Sequence, residues 1–387
     1  MKVRATLIEL WKKVTPFKTS DNVYWNGENN SYSEEMELAV ANSPTGSRAR
    51  EMFSKFIYGK GIKDELNIKF SDDVLLSEVL KDVVDDVVVQ NAAFIHTTFK
   101  IEVVNGEPIF MPNQPKSLDY NKCRISKEDD DDNEGMIVYK NFNKLDNSLT
   151  RSEKNKLKKY YPFNPNQKVI LAQINADAKE AKYIGDDLAG KIKYYRGQVM
   201  YLNLTPKFRY GISKFDSVYN DLDTEYRLGI YSNTMTRGGF LGKTAVLTQG
   251  LDEEAAIQIK EDIALWLGTE GSAGVYHLDV EQIESLDNVL KILQVPSQFD
   301  HKQFESVTNA LRRNILGAAN NLPEGLAFAD NNSLFGGSGE QYKQMKLFYW
   351  EQCEWERQKI EEAFGKLGFY FNFLDIEEIS ETETPII

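Results

Sequence analysis

The stretch Ile315-Leu316-Gly317-Ala318-Ala319-Asn320-Asn321-Leu322-Pro323 decides how the second half of the chain is read. Upstream of it, Phe304, Val307, Leu311 and Ile315 recur at three- and four-residue spacing, so a long amphipathic helix starts near Asp300. It ends before Leu322-Pro323, because proline lacks the N–H a continuing helix needs. Residues 320–337 then read as a polar loop of Asn, Gly and Asp that still carries Leu326, Phe328, Leu334 and Phe335. Loops of that length are usually functional or disordered. Ser338 and Gln341 form a capping box that opens the next helix, which carries Tyr342, Met345, Tyr349, Cys353, Ile360 and Phe364.

Toward the N-terminus, Tyr210-Gly211-Ile212-Ser213 begins an earlier long helix, with Ser213 and Asp216 in an S-x-x-D capping pattern. Phe215, Tyr219, Leu222, Tyr226 and Ile230 lie on one stripe, and Gly238-Gly239 stops the helix after about 35 Å. Residues 240–296 between the two helices read as a small α/β module. The pattern is a strand at 244–247, a helix at 252–267 stopped by Gly268, and strands at 274–278 and 289–293. A unit of roughly 55–60 residues needs outside packing for stability.

The first half changes character once. Residues 33–100 carry helical patterns at 34–41, 47–58 and 74–91, the last preceded by Ser71-Asp72-Asp73 as capping oxygens. From 92 to 210 the signal is short strand-like runs at 99–104, 136–139, 169–173 and 199–204, separated by Gly, Pro, Asn and Asp. Residues 1–14 read as an amphipathic entry helix, since the apolar stretch 5–11 is interrupted by Glu9 and too short for a signal-peptide core. No later run approaches the ~18–20 apolar residues that span a bilayer. The tail from Asp375 is acidic and polar and is expected to fray.

The 387 residues suffice for two or three domains. Lys and Arg number 46 against 59 Asp and Glu, a net charge of −13 that argues against a protein built to grip nucleic acid. Two cysteines, Cys123 and Cys353, make no disulfide framework and point to an intracellular compartment. His96, His277 and His301 are too scattered for a His-based metal site. Gly242-Lys243-Thr244 is not a phosphate loop, because Arg237 stands where the first glycine is required and a strand, not a helix, follows. Gly336-Gly337-Ser338-Gly339 follows no strand and reads as a hinge and N-cap. The acidic run 128–132 lacks the calcium-loop residues, with Glu134 and Lys140 at the Gly and Glu positions. No nucleophile elbow, zinc helix or paired-acid signature occurs, so no catalytic residue, metal or cofactor is expected and the chain does not read as an enzyme. Arg312 and Arg313 diverge by about 100° on their helix, so they cannot share its apolar stripe; a surface or intersubunit ion pair is the expected fate of at least one.

The order of helix, small α/β insertion, helix, proline, loop and helix resembles the portal protein of tailed bacteriophages. The resemblance rests on Tyr210-Gly211-Ile212-Ser213, on 315–323, and on Asn332-Ser333-Leu334-Phe335-Gly336-Gly337-Ser338-Gly339-Glu340-Gln341. It covers roughly 210–364 and is vaguer before that. It implies an α+β portal-like fold: a wing at 1–210, stem helices at 211–239 and 298–320, and a clip at 240–297. A tunnel loop at 321–337 and a long wing helix with a small crown at 338–387 complete it. Implied site residues are Phe328, Asn331, Asn332, Ser333 and Phe335 facing DNA, and Asp252, Glu253 and Glu254 on the clip's partner surface. Arg312 and Arg313 would lie on the intersubunit stem. Whether Phe328 and Phe335 brush DNA or tuck into the subunit's core is open at this level.

The resemblance further implies a homo-oligomeric ring, usually a dodecamer, at one capsid vertex of the virion, assembled in the bacterial host cytoplasm. Double-stranded DNA would pass through it, and the terminase large subunit, a head–tail adaptor and the major capsid or scaffold protein would be partners, with no membrane. ATP hydrolysis would fall to the terminase. A loop of Asn, Ser and Gly suits such a channel, since weak contacts let phosphates slide. Two other readings are another ring-forming neck or baseplate protein, and a nucleotide-acting enzyme that would depend on Lys243.

Overall fold

The computed structural model describes residues 23–70, 73–104, 107–127, 135–140, 142, 158–237, 244–249, 275–280, 290–294, 301–328 and 339–376. Three helices come first: α1 (Tyr32–Asn42), α2 (Pro44–Tyr58) and α3 (Leu76–Gln90). Their apolar spacing becomes a shared buried face: Met36 and Val40, then Phe53, Phe56 and Ile57, then Leu80, Val83, Val84 and Val87. The Ser43 hydroxyl starts α2 by accepting the Gly46 N–H at 2.9 Å, with Pro44 in the first turn. The cap of α3 differs from the expected one. Ser77 N–H donates to Asn67 Oδ1 and Leu75 N–H to the Glu78 carboxylate, both at 3.0 Å. Asp73 sits at φ 60° and pairs with Lys69 instead, while Ser71 and Asp72 lie outside the described residues.

A six-stranded sheet follows, built from β1 (Ala92–Val104), β2 (Glu107–Leu118), β3 (Cys123–Ile125), β4 (Ile137–Tyr139), β5 (Lys158–Pro162) and β6 (Gln198–Asn203). Its order is β2-β1-β6-β5-β4-β3, antiparallel except for the β5–β6 pair. The run at 169–173, expected as a strand, is instead inside α4 (Gln167–Glu180). The helix wins because Ile170 and Ile174, four apart, both reach the cluster of Phe99, Phe110 and Tyr195, and the Asn166 side chain caps the start. The Gln167 amide also closes the outer edge of β2, accepting the Phe110 N–H at 2.6 Å and donating to its carbonyl at 3.1 Å. Pro108, Pro112 and Pro115 remove further donors from that edge strand.

A short helix, α5 (Leu188–Lys191), precedes β6. After the sheet, a 3-10 turn (Lys214–Val218) leads into α6 (Tyr219–Arg237), whose 19 residues span about 28 Å. The α-helix is shorter than expected because its first turn is wound as 3-10. Along its expected stripe burial fades: Phe215 and Leu222 are fully buried, whereas Tyr226 is 41% and Ile230 49% exposed. Strands β7 (Thr244–Gln249), β8 (Val275–Val280) and β9 (Leu290–Gln294) form a second sheet, with β7 central, parallel to β8 and antiparallel to β9. The expected helix at 252–267 and the Gly238-Gly239 stop lie outside the described residues. The chain returns through α7 (His301–Ala318), on which Leu311 and Ile315 are buried. Two compact units result, Met1–Asn220 with Asn314–Ile387 and Asp221–Arg313, and the chain passes between them inside α6 and α7.

The remaining helices are α8 (Glu324–Ala327), α9 (Gly339–Gln352) and α10 (Glu354–Lys366). The single helix expected from 338 onward is thus two. Its break is at Cys353, where φ −96° and ψ 5° leave the N–H shared between the Tyr349 and Trp350 carbonyls at 3.2 Å each. The Arg357 guanidinium stabilises this corner by donating to the Trp350 carbonyl at 2.7 Å and the Phe56 carbonyl at 3.0 Å. Beyond α10, Phe369, Phe371 and Phe373 are buried while Tyr370 between them is 76% exposed, a period of two. That segment pairs with the turn after α2, where Leu374 N–H donates to the Gly61 carbonyl at 2.8 Å. The fold is therefore mixed α+β. No described helix is long and apolar enough to cross a membrane.

Candidate functional site

The motif Tyr210-Gly211-Ile212-Ser213 is held at every residue. The Tyr210 hydroxyl donates to the Tyr24 carbonyl at 2.6 Å and accepts the Ile125 N–H at 2.9 Å. Burial pushes its ionisation well above the ordinary tyrosine range. Gly211 passes so close to the end of α3 that a Cβ there would lie 2.4 Å from the Gln90 carbonyl oxygen and 2.6 Å from Ala92 Cβ. Its N–H donates to the Tyr120 and Tyr201 hydroxyls. The Ile212 carbonyl accepts from the Asn91 amide at 3.1 Å. Ser213 does not close the expected reciprocal box with Asp216. Its N–H donates to the Tyr32 hydroxyl at 3.1 Å, and that hydroxyl also hydrogen-bonds the Asp216 carboxylate, so a tyrosine from α1 stands inside the cap.

Beside this motif Arg124 is buried, and burial lowers its pKa from the usual arginine value. Its guanidinium donates to the Asn30 side chain and, at 2.7 Å, to the Asn30 and Cys123 carbonyls. It also lies over the rings of Phe142 and Tyr210. Neutral oxygens and ring faces thus take the place of a carboxylate, and the cation ties 23–30 to β3.

Next to Ser213, Lys214 starts a second polar junction. Its ammonium donates to Asn320 Oδ1 and to the Glu356 carboxylate, which is almost wholly buried. The Asn320 amide nitrogen donates to Glu356 Oε2 at 3.2 Å and to the Gln352 carbonyl at 3.0 Å. The junction thus binds the entry to α6, the exit of α7 and the α9–α10 corner, with Phe53 beneath the ammonium. Asn320 and Asn321 both hold φ 55°, a left-handed turn that asparagine tolerates. They redirect the chain into Leu322, Leu326 and Ala327, all buried. Arg48 Nε donates to the Ala327 carbonyl at 2.8 Å, anchoring the start of the loop to α2.

Of the residues expected to face DNA, Phe328 is half-buried at the end of α8, its N–H donating to the Glu324 carbonyl at 2.8 Å. Asn331, Asn332, Ser333 and Phe335 lie outside the described residues, as do Lys243 and the clip residues Asp252, Glu253 and Glu254. Arg312 is half-buried and Arg313 exposed, the divergence their adjacency requires. Sequence reasoning did not single out Lys214, Glu356 or Arg124, and quoted Asn320 only as part of 315–323. Lys214 meets Asn320 and Glu356 from 106 and 142 positions away, and Arg124 meets Asn30 from 94, so no local spacing announces these pairs.

Cys123 and Cys353 are free and buried, and burial pushes the Cys353 thiol up to about 12. Among the described residues no group of three or more His, Cys, Asp and Glu is placed to hold a metal. Burial lowers the pKa of His96 below the usual histidine value, and its Nε2 lies 2.9 Å from the Arg196 carbonyl. The junction ties together the entry to α6, the exit of α7 and the α9–α10 corner.

No protein-family model matches the chain, and no curated protein matches it. Among solved structures it is similar to a chain in the virion of the native gene transfer agent particle. Identity is 12%, over 93% of this chain and 88% of that one, with a TM-score of 0.46. It is also similar to a chain in the neck of the empty gene transfer agent particle computed with C6 symmetry. There identity is 12%, over 95% of this chain and 87% of that one, with a TM-score of 0.49.

Proposed function

We propose that this chain is the subunit of a phage-type portal ring, a non-enzymatic conduit for double-stranded DNA at one vertex of a virion. One observation carries the reading. The chain leaves unit Met1–Asn220/Asn314–Ile387 through α6 and returns through α7, the two rooted together at Lys214, Asn320 and Glu356. A separate three-stranded module lies between them in sequence, and a polar loop begins at the same root. In this reading the tunnel loop at 321–337 faces the DNA with Phe328, Asn331, Asn332, Ser333 and Phe335, and the module at 240–297 meets terminase and a neck adaptor. The wing at 1–210 meets capsid or scaffold protein.

Native mass spectrometry with negative-stain imaging of the purified chain tests this. The expected result is a ring of about a dozen copies around a central hole. A chain that stays monomeric even with its capsid partners would remove the proposal. Labelling at the DNA-entry vertex of DNA-free heads separates a portal from other ring-forming neck or baseplate parts.

A further inference from the structure

A cleft of about 1060 Å³ opens where the segment after α10 passes the turn after α2. Leu66, Trp350 and Tyr370 supply apolar wall, and Lys63 and Lys366 line it as well. Tyr370 is turned outward because the extended backbone sends its neighbours Phe369 and Phe371 into the core. Leu66 is also exposed, so a large apolar surface meets water here. The volume lies at the top of the ~300–1,000 Å³ of small-molecule sites, and one wall is an extended segment, so the shape suits a length of chain.

The charges of the cleft are not balanced among themselves. Its carboxylates are engaged: Glu362 pairs with Lys359 at 2.7 Å, and Glu361 accepts the Phe373 N–H at 2.9 Å. Glu361 and Asp375 also lie in the field of the Arg357 guanidinium, which itself sits 3.5 Å over the Trp350 ring. Lys63 and Lys366, by contrast, are exposed and form no ion pair among the described residues. In a chain of net charge −13, two such lysines in one apolar cleft call for an anionic occupant with apolar side chains.

The chain carries such a segment at the cleft itself. The described residues end at Ile376, next to Asp375, which lines the cleft. Residues 377–387 then hold Glu377, Glu378, Glu381 and Glu383, no Lys or Arg, and the apolar Ile379, Ile386 and Ile387. Extended, these residues reach at most about 40 Å, enough to turn back along the cleft. Tethered at its wall, they are present at an effective concentration on the order of millimolar, so contacts too weak to join separate molecules suffice. We infer that residues 377–387 fold back into this cleft of their own chain, with glutamates against Lys63 and Lys366 and isoleucine against Tyr370 and Leu66. The inference is independent of the ring reading and assigns an occupant to a surface that reading leaves unused.

Amide hydrogen exchange of the full chain tests this, with the 377–387 sequence as a free peptide for reference. The expected result is several-fold slower exchange of 377–387 in the protein than in the peptide. Lys63→Glu with Lys366→Glu should return the tail to the peptide's rate, and changing the four tail glutamates to lysine in that variant should restore the protection. The same data report exchange within α3 and α10, so release of the tail is told from unfolding. Lys63→Met with Lys366→Met, which removes charge without adding any, serves as a second variant. A wild-type tail that exchanges at the peptide's rate would overturn the inference, as would protection that survives both pairs of substitutions. Mixing the Lys63→Glu/Lys366→Glu chain with a chain lacking 377–387 distinguishes the source of the occupant. The reversed chain's tail is expected to stay unprotected; protection regained from the intact cleft of the other chain would give the site to a second copy's tail and overturn docking within one chain.

Discussion

The Tyr349 hydroxyl donates a 2.8 Å hydrogen bond to the Ala319 carbonyl, so α9 grips the last turn of α7 where the chain turns into the loop. The Tyr349 ring also stands edge-on to Phe56 of α2, with centroids 4.9 Å apart. Helices from both ends of the chain therefore meet around one helix terminus. The Lys214, Asn320 and Glu356 junction completes the grip on its polar side.

That junction is unequal in its two charges, which gives a first prediction. The Glu356 side chain is nearly inaccessible, while that of Lys214 keeps some contact with water. Lys214→Met strands a buried carboxylate with only the Asn320 amide, and should cost about 3 kcal/mol. Glu356→Gln leaves an ammonium that still has Asn320 and water, and should cost about 1 kcal/mol. Urea unfolding of both variants measures the order; equal losses would mean that the pair is not buried as described.

Two glycines should respond in opposite directions to alanine. At Gly211 a Cβ meets the Gln90 carbonyl and Ala92 with no room to move, and Gly211→Ala should destabilise by about 3 kcal/mol. At Gly229 the space is open, so Gly229→Ala should stabilise the isolated subunit by up to about 1 kcal/mol through helix propensity. Thermal melts of the two variants beside wild type decide both at once.

The contrast between those glycines marks how far the sequence could be read. Tyr210-Gly211-Ile212-Ser213 announces a helix start, yet nothing local says that Gly211 must pass under Gln90 or that Tyr32 occupies the cap. Helices at 34–41, 47–58 and 74–91 were readable because their apolar residues keep the helix period over several turns. Residues 169–173 were not, since Val169-Ile170-Leu171-Ala172 is a short apolar run that suits either a buried strand or a helix. Ile174 and the Asn166 cap settle it. The Cys353 break is invisible locally because an arginine bond to the Phe56 carbonyl, 301 positions away, helps to hold it. Lys214 and Glu356 stand 142 positions apart and escape any spacing rule for the same reason.

Asp86 sets a pH dependence. Burial raises its pKa well above the ordinary carboxylate range, and Glu37, Asp119 and Asp82 add to this, while the Ser117 hydroxyl donating at 3.2 Å opposes it. The folded state therefore holds this proton more tightly than the unfolded chain does. Its stabilising contribution is complete below about pH 4, the unfolded carboxylate range, and is lost as pH rises through the raised folded value. Asp86→Asn keeps an oxygen to accept from Ser117 and has no charge to desolvate. The variant should unfold at higher urea than wild type at neutral pH and match it near pH 3. A gain that is the same at both pH values would assign the effect to packing and not to the proton.

The loop gives the prediction nearest to function. Its entry is fixed by the buried Leu322, Leu326 and Ala327 and by the Arg48 bond to the Ala327 carbonyl. Changes beyond Phe328 should therefore leave the subunit's stability and its ring assembly alone. Replacing 331–336 by a glycine–serine segment of equal length removes Asn331, Asn332 and Phe335 while keeping the chain long enough to reach α9. If these side chains meet the DNA, heads carrying the variant should assemble in normal number but package or retain DNA several-fold less well. Particle counts by electron microscopy and nuclease-protected DNA per head separate the two effects. Normal DNA content would take the DNA contact away from these side chains, and failed assembly would place them at a contact between copies.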